Sequence, residues 1–229
     1  MERLILTPRL ACIAALMPLQ ARLADVGTDH GKLPIWLLKE GRIAFAVGTD
    51  IGRGPLAHAA RNALDHGVAL PLRLAPGLNA VSPEECDTIS IAGMGGQTIA
   101  EILDAAPWTA RGDHLLLLQP MTMAAELRQW LWAHGYKLEK ETLCQEARRW
   151  YTILSVRGGA AQQILPLSRC HISRALCRDA QAHDYLRHLL SRQTRALAGM
   201  EQGSVMDIGL LQEQRDTVAA IQQAMEELT

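Results

Sequence analysis

Disulfide architecture has little to build on in this chain. Its 229 residues include five cysteines, Cys12, Cys86, Cys144, Cys170 and Cys177, an odd number with no C-x-x-C pair among them. Scattered thiols of that kind read as free and partly buried in a reducing compartment, with neither a disulfide framework nor a zinc site. Charge of one sign is also missing: 23 Lys and Arg against 24 Asp and Glu leave a formal charge of -1. A chain that is basic throughout is thereby excluded, and an RNA partner would have to be met by a local patch. No apolar run approaches the roughly 18 residues of a membrane span. Arg3 and Arg9 followed by apolar Leu10 to Met17 imitate a signal peptide, but no small-x-small cleavage site follows. A cytoplasmic protein is expected. What the chain does have is 48% apolar and 21% charged residues, the composition of a soluble globular protein. Its length accommodates one domain of about 150 residues and a small appendage.

Apolar runs alternate with helical patterns along most of the chain. After an amphipathic opening helix, Thr7 to Met17, strands are predicted at Arg22–Val26, Ile43–Thr49, Leu70–Leu74, Thr88–Ala92 and His114–Gln119. Helices are predicted between them at Lys32–Glu40, Gly54–His66 and Gln97–Ala105, then at Met123–His134, with Gly41, Gly67 and Gly135 as stops. Tyr136–Leu143 and Trp150–Val156 read as two closing strands. Such alternation predicts a doubly wound parallel sheet. Composition changes after Gly158-Gly159, which divides the chain into domains 1–158 and 159–229. The second part reads as an α-helical hairpin, one helix over Leu167–Ala198 and another striped by Val205, Ile208, Leu211, Val218, Met225 and Leu228. Residues 157–200 carry seven arginines against Asp179 and Asp184, whereas 201–229 carry Arg215 against six acids. That split serves either charge pairing within the hairpin or an arginine face for phosphates.

Three strand ends carry the chemistry. The first runs Asp25-Val-Gly27-Thr28-Asp29-His30-Gly31 into a helix, where glycines let the backbone approach a ligand and the helix start favours negative groups. Asp29 stands where dinucleotide folds often place a glycine; its carboxylate would repel a pyrophosphate but accept an amino-acid ammonium. The loop therefore points to S-adenosylmethionine over NAD. Asp50 ends the second strand 25 positions after Asp25, placed to accept hydrogen bonds from a ribose diol; a helix-capping acid is the plainer alternative. The fourth strand ends in Gly93-Met94-Gly95-Gly96, a floor with almost no side chains. Methylation of an exocyclic amine uses polar groups there to orient a weak nucleophile, and a ring nitrogen with an in-plane lone pair has less need of them. Gln119-Pro120 offers a neutral amide on the same rim.

These segments resemble one family. Asp25 to Ile35, Thr49-Asp50, Gly54-Pro55-Leu56, Ile91 to Gly96 and Leu118 to Met121, with Glu126-Leu-Arg128, Trp130-Leu131 and Tyr151, are similar to the bacterial tRNA (adenine-22-N1)-methyltransferases of the TrmK group. The likeness covers about residues 3–157, and the hairpin corresponds in kind to that family's C-terminal coiled coil. It implies a Rossmann-like class I methyltransferase sheet and S-adenosylmethionine bound by Asp25, Gly27, Thr28, Asp29, His30, Gly31, Asp50, Ile51, Gly77 and Gly93. It also implies an acceptor site at Asp29, Gly93, Met94, Gly95, Gly96, Gln119 and Pro120, and a tRNA partner; the arginine face of the hairpin, through Arg174, Arg178, Arg187 and Arg192, is the patch expected to grip it. No metal is implied. Lys32 replaces a common aromatic and Pro76 an Asn or Asp, leaving a backbone group of Gly77 to meet the adenine. Trp108 is a further candidate for base stacking. Methylation of another RNA, a protein or a small molecule, or RNA binding by a vestigial pocket without catalysis, are the competing readings.

Overall fold

The structure, a computed structural model, describes residues 4–203 and 207–228; Arg3 and Val205 of the sequence reading lie outside them. Among the described residues seven strands form a single sheet: β1 (Ala21–Val26), β2 (Ile43–Asp50), β3 (Leu72–Leu74), β4 (Thr88–Gly95), β5 (Leu115–Thr122), β6 (Lys137–Glu146) and β7 (Arg149–Arg157). Their spatial order is β3-β2-β1-β4-β5-β7-β6. Among the described residues eight α-helices accompany them: α1 (Pro8–Leu16), α2 (Lys32–Lys39), α3 (Arg53–His66), α4 (Gly96–Asp104), α5 (Ala124–Ala133), α6 (Leu167–Cys170), α7 (Ala182–Glu201) and α8 (Ile208–Glu227). Helices cover both faces. Ile99 and Leu103 of α4 and Leu127 and Leu131 of α5 pack with Ile89, Ile91, Leu116 and Leu118 on one side. Ile13, Leu33 and Leu37 pack with Leu23, Leu115 and Leu117 on the other. The unbroken buried run from Leu115 to Pro120 reflects that double cover.

The expected doubly wound parallel sheet holds for five strands, and only its edge needs correction. β1 to β5 are parallel, but β7 runs antiparallel to both β5 and β6. Ala147 and Arg148 alone connect β6 to β7, both left-handed at φ 48° and 65°. A two-residue link can join only antiparallel neighbours, because a parallel return needs a crossover. The predicted helix over Leu167–Ala198 is also broken, into α6, a 3-10 turn at Leu176–Arg178, and α7. Ser173 Oγ donates to Glu141 Oε2 (2.7 Å) and accepts from Leu176 N (2.8 Å). Asp179 accepts from Leu143 N (3.0 Å) and Gln181 N (2.9 Å). Side chains that capture backbone groups in this way compete with the helix ladder.

The C-terminal segment is tied to the sheet by a buried polar hub. Arg128 of α5 and Glu141 of β6, 1% and 0% exposed, form an ion pair. Arg128 Nη1 donates to Cys170 O (3.1 Å), and the hydroxyls of Thr152 and Ser173 donate to Glu141. α7 and α8 pack together through Leu186, Leu189 and Ile221. Among the described residues no arginine of α7 pairs with an acid of α8; Arg187 meets Asp184 of its own helix, and Arg215 meets Glu201.

Candidate active site

β1 has β2 on one side and β4 on the other, so the chain leaves their C-terminal ends in opposite directions and a crevice opens there. The turn after β1 is fixed by Thr49 O, which accepts from Gly27 N (2.8 Å) and Thr28 N (3.0 Å). Gly27 and Gly31 take φ +67°, and Asp29, not a glycine, is also left-handed at φ 48°. Strain at a non-glycine residue marks a position held by its surroundings. Here the hold is Asp50, whose Oδ2 accepts from Asp29 N (3.2 Å) while Oδ1 accepts from Gly52 N (2.8 Å). A carboxylate has about four lone-pair sites, so Asp50 caps the turn and retains acceptor capacity. Beside it Ile51 is 79% exposed.

A cavity of about 540 Å³ occupies this crevice, lined by Asp25, Gly27, Thr28, Asp29, His30 and Asp50, by Ala92, Gly93 and Met94 of β4, and by Thr7, Arg9 and Leu10. The turn and the start of the glycine run thus meet in one space. The His30 ring lies tilted against His58 with centroids 5.0 Å apart, and its Nε2 is 3.6 Å from the Asp29 carboxylate. Ile51 and Gly31 stand outside the lining. Gly77 does too; its carbonyl accepts from Thr49 Oγ1 (2.8 Å). Gly95 is paired with Thr122 in the β4–β5 ladder. Gly96 starts α4, and a Cβ there would lie 2.3 Å from Met123 O. Gln119 is fully buried, not on the rim. Its Oε1 accepts from Arg9 Nη1 (2.6 Å) and Gly93 N (3.1 Å), and its Nε2 donates to the adjacent Pro120 carbonyl (2.8 Å).

The four hairpin arginines do not share one surface. Arg192 lines a cavity of about 290 Å³ with Met123, Ala124 and Glu126, at the C-terminal end of β5 and so beside the crevice. Arg174 lines another with Lys137 and Arg169, at the start of β6 and the opposite end of the sheet. Arg178 adjoins Arg174 over α8; Arg187 is exposed and paired. Trp108 packs edge-on to His114 (4.8 Å), ahead of β5 and away from the crevice. Sequence reasoning missed Thr7, Arg9 and Leu10 as site residues. Amphipathic spacing places them on a helix, and nothing local shows that α1 covers the crevice.

Asp25 is 6% exposed, and burial pushes its carboxyl up to about 6, against the pull of the hydrogen bond from Thr28 and of the nearby Ser90 hydroxyl. Thr28 Oγ1 donates to Asp25 Oδ2 at 2.7 Å. A folded value above the unfolded one means that the native state holds the extra proton between about pH 4 and 6. Burying the charge therefore costs stability above pH 6, and the cost fades toward pH 4. Asp25→Asn should accordingly stabilise the ligand-free protein at pH 7.5, by at most about 3 kcal/mol from a shift of about two units, and by little at pH 4.5. Urea unfolding at the two pH values checks this; an equal gain at both contradicts it.

The methyltransferase domain family matches residues 6–154. The tRNA (adenine(22)-N(1))-methyltransferase of Bacillus subtilis (strain 168) is 34% identical over 161 residues, 69% of this chain and 68% of that protein. Among solved structures, a Streptococcus pneumoniae protein described as a candidate tRNA (m1A22) methyltransferase has a TM-score of 0.84 at 30% identity, covering 96% of this chain and 100% of that one. The same protein in complex with S-adenosyl-L-methionine gives a TM-score of 0.81, again at 30% identity and covering 96% and 100%. The strand order, the crevice at the switch between β1 and β4, and these relatives agree, and the chain belongs to the tRNA (adenine-22-N1)-methyltransferase family.

Proposed function

We propose that this protein transfers a methyl group from S-adenosylmethionine to N1 of adenine 22 in tRNA, and does so in the cytoplasm. The enzyme is a methyltransferase that uses S-adenosylmethionine; the acceptor atom and the roles of single residues are the proposal. Among the described residues no helix is long and apolar enough to cross a membrane, and no group of three or more His, Cys, Asp or Glu could hold a metal.

The cavity's residues fit the cofactor. Asp50 keeps free acceptor sites for a ribose diol, left-handed Gly27 brings backbone up to the ligand, and exposed Ile51, next to Asp50 but outside the lining, offers an apolar face at the cavity's edge for the adenine. Asp29, 66% exposed at the cavity edge, is the group placed for the methionine ammonium. S-adenosylmethionine, when bound, supplies an electrophilic sulfonium methyl.

The observation that carries the acceptor reading is the end of β4. Gly93 and Met94 present backbone and a thioether to the cavity, and Gln119, the amide bonded to this turn, spends its oxygen on Arg9 and Gly93. Among the described residues, those that β4 contributes to the cavity lining, Ala92, Gly93 and Met94, carry no side-chain amide or carboxylate to orient an exocyclic amine. Adenine N1 is unprotonated at neutral pH and offers its in-plane lone pair, so the protein's task is alignment to about 3 Å and exclusion of water. The adenine must leave its stack to reach the crevice, at a cost of roughly a few kcal/mol. Methyl incorporation into bulk tRNA, against protein and metabolite fractions, tests the substrate class. Mass spectrometry of the nucleosides, with retention times that separate 1-methyladenosine from N6-methyladenosine, tests the atom. The N6 isomer or a methylated guanine overturns the reading.

A further inference from the structure

Arg9 lines the cavity next to Gly93 and Met94, and its charge has no acidic partner. Among the described residues no carboxylate oxygen lies within ion-pair distance of its guanidinium. The side chain is held by neutral groups. Nη1 donates to Gln119 Oε1 at 2.6 Å, and the guanidinium lies 5.8 Å from the centre of the Tyr151 ring. The orientation of Gln119 follows from chemistry: Arg9 and the Gly93 N–H can only donate, so both require the amide oxygen. The backbone is pinned as well, because Arg9 N donates to Glu146 Oε2 at 3.1 Å beside the β6–β7 turn. A guanidinium has five N–H donors, and Gln119 takes one. What remains is a preorganised cation with a free donor edge, on the β4–β5 side of the crevice, away from Asp50 and Ile51 at the end of β2. Arginine in that state is a receptor for a planar or tetrahedral oxyanion.

We propose that Arg9 grips the backbone phosphate flanking the acceptor nucleotide and so holds the extruded adenine over Gly93. The assignment rests on the reading of tRNA as substrate. Gln119 is then a positioning residue: one oxygen couples the arginine that holds the phosphate to the turn that receives the base. The alternative anion in the same cavity is the carboxylate of the cofactor's methionine, and the two differ in what loss of Arg9 weakens.

The test measures three quantities for the wild type, Arg9→Ala and Arg9→Lys: S-adenosylhomocysteine affinity by calorimetry, tRNA binding as a function of salt, and kcat and KM for tRNA. Arg9→Ala should raise KM for tRNA by about ten- to hundredfold and leave S-adenosylhomocysteine affinity within about twofold. Its binding should lose one phosphate's worth of salt dependence, about 0.7–0.9 in the log–log slope. Arg9→Lys should restore the slope and only part of the affinity, because a point charge does not reproduce the bidentate fork. A tRNA with a neutral methylphosphonate on either side of the acceptor should weaken binding to the wild type by a similar factor, and this arm needs no variant to fold. An unchanged KM and slope in Arg9→Ala overturns the proposal, as does indifference of the wild type to methylphosphonate. A loss confined to S-adenosylhomocysteine affinity also overturns it and assigns Arg9 to the cofactor. A wild-type protein that methylates no tRNA overturns the reading beneath it, a result told apart by the wild-type control alone.

Discussion

Glu141→Ala is expected to destabilise the protein by about 3–5 kcal/mol, the cost of leaving a buried charge without its partner. The stranded group would be the Arg128 guanidinium, 1% exposed between α5, β6 and the C-terminal segment. The same substitution leaves the hydroxyls of Thr152 and Ser173 without their acceptor. Ser173 also receives the N–H of Leu176, so the 3-10 turn loosens with it. Removing both charges should hurt less than removing one, since the pair's desolvation is then relieved. Glu141→Ala with Arg128→Met is therefore expected to recover part of the loss. Urea midpoints for the two singles and the double measure it; a Glu141→Ala loss under about 1 kcal/mol contradicts the hub. This also decides how the hairpin's role in RNA binding is tested. Cutting the chain at Gly158-Gly159 would remove Cys170 and Ser173 from the hub and confuse unfolding with lost tRNA contacts. Substitution of Arg192, beside the crevice, against Arg174, at the far end of the sheet, separates them.

The crevice at the ends of β1 and β2 was legible because its signals are local. A glycine-bordered acid turn after Asp25 and an acid ending the next strand at Asp50 are each readable within a few residues, and parallel pairing then brings them together. The elements misread depend on partners far along the chain. Ser173 and Asp179 break the predicted helix by bonding to Glu141 and Leu143, 32 and 36 positions away. The antiparallel turn at Ala147-Arg148 has no Gly or Asn to announce its left-handed residues. Gln119, placed by its neighbours on the rim, is turned inward by Arg9, 110 positions earlier. A polar residue's burial follows from such a partner, not from local hydrophobic pattern.

The glycine run at the end of β4 should divide sharply when each position receives a methyl group. Gly96→Ala is a folding defect: its Cβ would lie 2.3 Å from Met123 O and 3.1 Å from Thr122 O, both backbone. Overpacking against backbone belongs at the upper end of the roughly 1–3 kcal/mol range or beyond. Gly95→Ala should be mild, because φ is -66° and the nearest atom is Thr122 Oγ1 at 3.4 Å. Gly93 is the informative one. Its φ of +82° makes alanine cost about 1–2 kcal/mol, yet the nearest atom to the new Cβ is Arg9 Nη1 at 3.6 Å, so the methyl enters the cavity, not the core. A displacement of about 1 Å in a reacting pair can cost a hundredfold in rate. Gly93→Ala is therefore expected to lower methyl transfer to tRNA by about that factor while the protein stays folded at 25 °C. Single-turnover transfer rates, read beside thermal unfolding of all three variants, check the series. Equal rates in Gly93→Ala and Gly95→Ala would show that the adenine does not lie over Gly93, since only the first of these methyls stands where the base is placed.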